Sequence, residues 1–256
     1  MNVLSDCGMR IVVATHKQYW MPEDSCYLPV HVGSKGKSGI LDYQRDDEGK
    51  NISGKNPHYC ELTGLYWAWK NLACDYLGLA HYRRHFAGGR GGDKRNRVAT
   101  GEQLMAAIAS TGVVLPKARN YYIETNYSQY IHAHHEEDLT LTREIIAERE
   151  PNGIAKYDEI MSRTYGHRFN MFVMRRDLAD AWCEWIFGVL FELEGRLDIS
   201  RYSQNDARVF GFVSERLLDY WVESRGLAYA EMPVVNLEKQ HWVKKGMSFV
   251  ARKVRA

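Results

Sequence analysis

The stretch "YLGLAHYRRHF", residues 76–86, opens as an apolar run and then sets two histidines and two arginines within five positions. A short apolar run leading into polar residues reads as a buried strand. In open α/β sheets ligands sit beyond the carboxyl ends of the strands, so His81, Arg83 and Arg84 are delivered to the edge where a ligand is expected. Guanidinium groups fork onto phosphate oxygens and stay charged at any working pH, which suits a diphosphate. The alternative is an arginine cluster bridging carboxylates in a polar rim.

On either side of this stretch, apolar strand-like runs alternate with amphipathic helices, an order that predicts an α/β fold with a mainly parallel sheet flanked by helices. Strands are expected at "IVVAT", "YLPVHVG", residues 76–82, "VVLPK", "FNMFVM" and "EMPVVNL", and helices at "LYWAWKNL" and "GEQLMAAIAS". The C-terminal half is helix-rich, with helices near residues 128–149, 154–163 and 177–197 and over "YSQNDARVFGFVSERLLDYWV". In that last segment Ser203 and Asp206 have the spacing of a capping box. The glycine-rich, charged loop 87–97 has no apolar anchor, is expected to be mobile and is a candidate lid.

At 256 residues, with 45% hydrophobic and 26% charged side chains, the chain has ordinary globular composition and fits one large domain. No apolar run approaches the roughly 20 residues of a spanning helix, and the N-terminus lacks the pattern of a secretory signal, so a cytoplasmic location is expected. Five cysteines without a CxxC pair suggest neither a disulfide framework nor a thiolate metal site. The net charge of +2 is uneven: six basic and no acidic residues after Glu238 make residues 239–256 a +6 tail and leave −4 elsewhere. Interleaved Trp242, Val243, Met247, Phe249, Val250 and Val254 make this tail amphipathic, which fits an anionic lipid surface or a terminal helix capping the fold. Without a broad basic excess elsewhere, nucleic acid is not an expected partner.

Other clusters carry less. "HAHHEED" (residues 132–138) resembles metal-ligand spacing but lacks the zinc-hydrolase signature, and reads more simply as a hydrated helix face. "DDEG" (residues 46–49) offers paired carboxylates for a divalent cation, or a surface turn. There is no GxGxxG, Walker loop or GxSxG, which removes dehydrogenase, P-loop kinase and serine hydrolase readings. At 100° per residue, Val209, Val213, Leu217 and Tyr220 form one stripe with Asp206 at its amino end, aimed inward as a general base or a helix cap. Arg208 and Glu215 fall on nearly the opposite side, a charged outer face unless another helix covers it.

"IVVATHK", "NPHYCELTGLYWAWKN", "YLGLAHYRRHF", "LPKARNYYIETNYSQYIHAHHEEDL", "GHRFNMFVM" and "ARVFGFVSERLLDYW" together resemble a bacterial family known as a domain of unknown function, found in capsular polysaccharide, exopolysaccharide and O-antigen gene clusters. The resemblance runs from about Arg10 to Phe249. It implies a glycosyltransferase with a GT-A-like, Rossmann-type fold that moves a sugar, plausibly galactopyranose or galactofuranose, from a UDP-sugar donor to a lipid-linked glycan acceptor. The matching organisation is one domain over residues 1–256: a nucleotide-binding half near 10–120, an acceptor and catalytic half near 121–238, and the basic tail. The expected location is the cytoplasmic face of the inner membrane, held peripherally through that tail. A non-catalytic nucleotide-sugar-binding or scaffold protein of the assembly machinery is the alternative.

Carried onto this chain, the resemblance places Thr15 and His16 at the nucleotide base and His81, Tyr82, Arg83 and Arg84 where many GT-A enzymes keep an Asp-x-Asp metal motif. Without those carboxylates, arginines and histidines would stabilise the leaving diphosphate. No metal site is therefore expected and no cofactor required, with manganese or magnesium as the departure to test. Lys117, His167, Arg168 and Asn170 are implied donor or acceptor contacts. Glutamine is common in the family at the position of Asp206, which makes Glu215 its rival as catalytic carboxylate, beside His81.

Overall fold

A computed structural model describes residues 8–238; Cys7 and the basic tail at 239–256 lie outside the described residues. The strands are β1 (Met9–Thr15), β2 (Tyr27–His31), β3 (Gln44–Arg45), β4 (Tyr76–His81), β5 (Arg84–Phe86), β6 (Val113–Pro116), β7 (Arg119–Asn120), β8 (Tyr165–Gly166), β9 (Phe172–Arg175), β10 (Ala230–Met232) and β11 (Val234–Asn236). The helices are α1 (Asn56–Tyr59), α2 (Leu62–Asn71), α3 (Gly101–Ile108), α4 (Asn126–Ile131), α5 (Glu136–Arg149), α6 (Ile154–Ser162), α7 (Arg176–Arg196) and α8 (Val209–Ser224).

The main sheet runs β10-β6-β9-β4-β1-β2-β3, with β5 joined to β4 and β11. β4, β1, β2 and β3 are parallel, as β1's unbroken run of buried residues requires of a strand covered on both faces. β9 runs antiparallel between β4 and β6, which makes the sheet mixed at its centre. Gly78 permits this pairing, because a Cβ there would stand 3.0 Å from the Phe172 carbonyl oxygen.

Alternate strand residues feed two cores. Val12, Ala14, Leu77 and Leu79 face a thick layer built from α2 and α4 to α8, while Ile11, Val13 and Ala80 pack with Leu104 and Ile108 of α3. α8 is buried nearly all round, so its polar stripe does not meet water as an outer face would. The expected 128–149 helix is broken into α4 and α5 at residues 132–135, and "EMPVVNL" is divided into β10 and β11 with different neighbours. Ser203 and Asp206 do exchange capping bonds, but the segment begins as a 3₁₀ turn before α8. The loop at 87–97 is tied at its ends, where Ala87 N donates to the Pro233 carbonyl, Gly88 N to that of Arg97, and Lys94 Nζ to that of Glu238, while its glycine tip at 89–92 is exposed.

The paired carboxylates of "DDEG" part ways. Asp47 forks onto Arg45 near the surface, whereas Asp46 is fully buried and accepts from Gly33 N (2.8 Å), Ser34 N (3.0 Å), Ser34 Oγ (2.8 Å), Ser53 Oγ (2.5 Å) and Thr63 Oγ1 (2.6 Å). The motif does form a turn, exposed at Glu48 and Gly49, but the Asp46 oxygens are occupied by protein donors and make an internal tie rather than a cation ligand. Removing the acceptor strands buried donors, so Asp46→Ala is expected to lose about 3–5 kcal/mol, roughly 10 °C in melting temperature. Asp47→Ala is expected to lose about 1 kcal/mol or less. Equal losses in thermal unfolding would contradict this division.

Candidate active site

The carboxyl ends of β1, β2 and β4 open into a cleft of about 470 Å³. Strand register sets Ala14 beside His81 and Thr15 beside His31, so backbone pairing alone assembles the floor. Thr15, His16, His81 and Arg83 form the sheet side, and His58, Cys60, Glu61 and Arg208 the helix side. His81 pairs with Arg84, which makes Tyr82 and Arg83 the two residues of a tight turn. Tyr82 is buried against the edges of His16 and Tyr19 and buttresses the turn from behind.

Both arginines of the turn have unused donors: Arg83 Nε and Arg84 Nε are buried without hydrogen-bond partners among the described residues. Arg83 Nη1 lies 3.3 Å from the Glu238 carboxylate at the rim. The Arg84 guanidinium lies over the Phe169 ring, 4.5 Å from its centroid. Burial and Arg83 lower the Arg84 pKa, against the attraction of Glu215 and Glu61.

Glu61, at the amino end of α2, is the carboxylate in the cleft wall. Burial lifts its pKa above 4.5; a 2.9 Å bond from Asn170 Nδ2 pulls it back, and the nearby Glu215 adds to the rise. Asn170 reaches it because Phe169 and Asn170 both have left-handed backbone, φ 79° and 54°, and the same Nδ2 donates to the Gly211 carbonyl of α8. Cys60, also left-handed at φ 52°, turns the chain between α1 and α2 and presents Glu61. Burial pushes the Cys60 thiol up to about 11, so it stays a thiol, accepting from Arg208 Nε at 3.1 Å.

The histidines of the cleft differ in kind. Burial, then Arg83 and Arg84, press the His81 pKa down to about 3, so its ring is neutral. Its Nδ1 accepts from Arg83 N at 3.3 Å, which leaves the proton on Nε2 as a donor. His16 is lowered by burial and by Lys17. His58 Nδ1 donates to the Ala207 carbonyl at 2.8 Å, leaving Nε2 as an acceptor. Thr15 Oγ1 is spent on the Lys17 carbonyl at 2.6 Å.

Other expected contacts lie elsewhere. Asp206 does not face the cleft: it accepts from Ser203 and sits 3.2 Å from His134 Nδ1, with its pKa held low mainly by the Ser203 bond. A cap already fully ionised is a poor base. Glu215, assigned to an outer face, is half-buried close enough to Arg84 and Glu61 to shift both. Lys117 is exposed beyond β6. Arg168 is buried with its donors on Tyr121, the His167 and Glu215 carbonyls and Asn126, so it braces the helices. His167 is clamped between Asp219 (Nδ1, 2.5 Å) and Glu231 (Nε2, 2.9 Å). Sequence reasoning gave no role to Glu61, Cys60 and His58 and set Arg208 on an outer face. The available signal was "NPHYCE", a polar, chemistry-bearing run entering an apolar helix.

Among the described residues no group of three or more His, Cys, Asp or Glu side chains is placed to hold a metal ion. Nor is any helix there long and apolar enough to cross a membrane.

Residues 10–226 match a family described as a domain of unknown function, DUF4422. The chain belongs to the DUF4422 family. No curated protein matches it significantly. It is similar to a solved apo structure of WbbM, a bifunctional glycosyltransferase, with 26% identity and a TM-score of 0.82. That match covers 90% of this chain and 45% of the other, so this DUF4422 member spans about half the length of WbbM. The shared architecture is the GT-A-like α/β fold that the resemblance implied.

Burial pulls the His167 pKa down, but its bonds to Asp219 and Glu231 outweigh this and hold it above 6.5. A raised folded-state pKa stabilises fully below 6.5 and is lost as pH rises through the folded value. The melting-temperature gap between the natural chain and His167→Asn is therefore expected to be widest below pH 6.5 and to shrink at higher pH. A pH-independent gap would remove the proton from the clamp.

Proposed function

We propose that this chain is a glycosyltransferase whose cleft binds a nucleoside-diphosphate sugar and transfers the sugar to a glycan hydroxyl. Membership of a family that shares its fold with a glycosyltransferase supports the class. One juxtaposition carries the chemistry: Arg83 lines the same cleft as Glu61, a carboxylate whose pKa is raised, and the half-buried Arg84, its Nε without a partner among the described residues, lies close enough to feel the Glu61 charge. Negative charge develops on the diphosphate as the sugar leaves, and fixed cations placed there lower the barrier. A carboxylate with a raised pKa is a better-matched proton acceptor for the incoming hydroxyl than one in the ordinary range.

In this reading Arg83 and Arg84 hold the diphosphate, with Arg208 facing them across the cleft. Neutral His81 donates from Nε2, adding direction without charge. Glu61 takes the acceptor proton, aimed by Asn170, and Glu215 maintains its basicity by repulsion. A divalent cation fits poorly, because "HYRR" stands where an Asp-x-Asp motif would, Glu61 already accepts from Asn170, and Glu215 lies 4.0 Å from the Arg216 guanidinium. The donor we favour is a UDP-galactose form, pyranose or furanose. The acceptor is a lipid-linked glycan of capsule, exopolysaccharide or O-antigen assembly at the cytoplasmic membrane face, and the basic tail adds attraction to that surface.

Transfer is followed as UDP release with a glycan acceptor. Arg84→Lys keeps charge but loses the fork, and is expected to reduce turnover about 30- to 1000-fold, some 2–4 kcal/mol, with little change in melting temperature. Early melting with normal turnover would make the arginines scaffolding. Glu61→Gln should retain UDP binding while turnover falls about 100-fold or more, and the natural chain's rate should rise with pH along a limb above 4.5. UDP binding without release of UDP from any donor would mark a non-catalytic binding protein. Calorimetric UDP binding should persist in EDTA; loss restored by manganese would refute the metal-free arrangement.

A further inference from the structure

Three of the most exposed large apolar side chains sit on two loops that leave one edge of the sheet. Leu41 is 80% exposed, Tyr122 82% and Ile123 63%. Leu41 belongs to the connection from β2 to β3, whose residues 35–42 are almost wholly exposed. Tyr122 and Ile123 belong to the connection from β7 to α4, which follows β6. β6 is antiparallel to β9 and β9 to β4, so β6, β4, β1 and β2 all point their carboxyl ends the same way. The β2–β3 connection thus leaves the edge that carries the cleft, while β7 follows β6 there and pairs with β8 in a separate two-stranded sheet, which sets Tyr122 next to the residues leading into the 167–170 loop; in the order β6-β9-β4-β1-β2-β3 the two loops stand on opposite sides of the cleft.

Each apolar tip has basic flanks. Lys35 and Lys37 precede Leu41, and Lys117 and Arg119 precede Tyr122. Two acidic residues are close in sequence: Asp42, exposed, and Glu124, which is paired with His132 at 2.7 Å. Backbone strain holds one tip out, since Tyr122 has φ 64°, an unfavourable conformation for a bulky side chain. Apolar tips with basic flanks match a hydrocarbon boundary under anionic headgroups: Leu41 and Ile123 supply aliphatic side chains, and Tyr122 an amphipathic ring of the kind that sits at headgroup level.

We propose that these loops are two feet by which the chain stands on an anionic membrane, Leu41 on one side and Tyr122 with Ile123 on the other, with the cleft mouth turned toward the lipid. Docking of this kind is independent of the reaction in the cleft and separate from the tail. Screening weakens the attraction of basic residues but leaves apolar insertion, so the loop substitutions are read in the salt-resistant fraction.

The test uses the full chain and vesicles of phosphatidylglycerol in phosphatidylcholine, sedimented at about 0.1 M and about 0.5 M salt. The natural chain is expected to keep a salt-resistant bound fraction. Leu41→Ser alone and the pair Tyr122→Asn with Ile123→Ser should each reduce it several-fold, and the triple variant about tenfold or more, with melting temperature and UDP binding unchanged. Asparagine at 122 accepts the left-handed backbone, so loss of folding is not anticipated. Binding abolished by salt in the natural chain, or a triple variant that binds like it at high salt, overturns the proposal. So does a triple variant that loses glycan-acceptor binding while vesicle binding is intact, which would make the loops an acceptor platform.

Discussion

The cleft rests on a buried carboxylate that takes no part in it. Asp46 draws Gly33 and Ser34 after β2, Ser53 ahead of α1 and Thr63 of α2 onto two oxygens. A buried carboxyl group needs hydrogen-bond partners on every side, so these segments cannot separate without stranding it or them. Asn56 extends the tie, donating to the Cys60 carbonyl and to Thr63 Oγ1, while the absence of a side chain at Gly33 lets Asn56 approach. The strained Cys60 backbone is held by this network, and Glu61 inherits its position from it.

A second constraint comes from β9. Reversing one strand in the middle of the sheet brings the 167–170 loop to the edge where β1, β2 and β4 end. Phe169 then lies under Arg84 and Asn170 meets Glu61, and the guanidinium and the carboxylate are set by adjacent residues of one turn. In the proposed reaction rigidity at this point matters more than affinity, because displacing a reacting group by an ångström lowers rates steeply.

These constraints also mark the limit of what the linear chain reveals. The apolar run before His81 and the continuous hydrophobic character of β1 were legible, and with them the strand edge that carries Arg83 and Arg84. Helical periodicity located α7 to within a residue and the end of α8 to within two, but started α8 seven residues early and misjudged Glu215 and Arg208, since the angle on a wheel says nothing of what packs against the other side. His167 and Arg168 were implied as ligand contacts by the resemblance, and nothing in their local sequence shows that both are buried with their polar atoms on protein partners. Glu61 was hidden in a helix otherwise read as core. Its environment is assembled from segments separated by about 100 residues or more, Asn170 and Glu215 among them, and local spacing holds no record of that meeting.

The Glu238 contact changes how a negatively charged ligand reaches Arg83. That guanidinium already has a carboxylate 3.3 Å away at the rim, both groups partly in water. In the proposed function a diphosphate arriving there performs an ion exchange, replacing one protein anion instead of neutralising a bare cation. The released carboxylate regains its own hydration and counter-ion atmosphere, which offsets part of the ions set free by the ligand. Nucleotide affinity should therefore fall with ionic strength along a shallower slope than the number of arginines in the cleft would suggest.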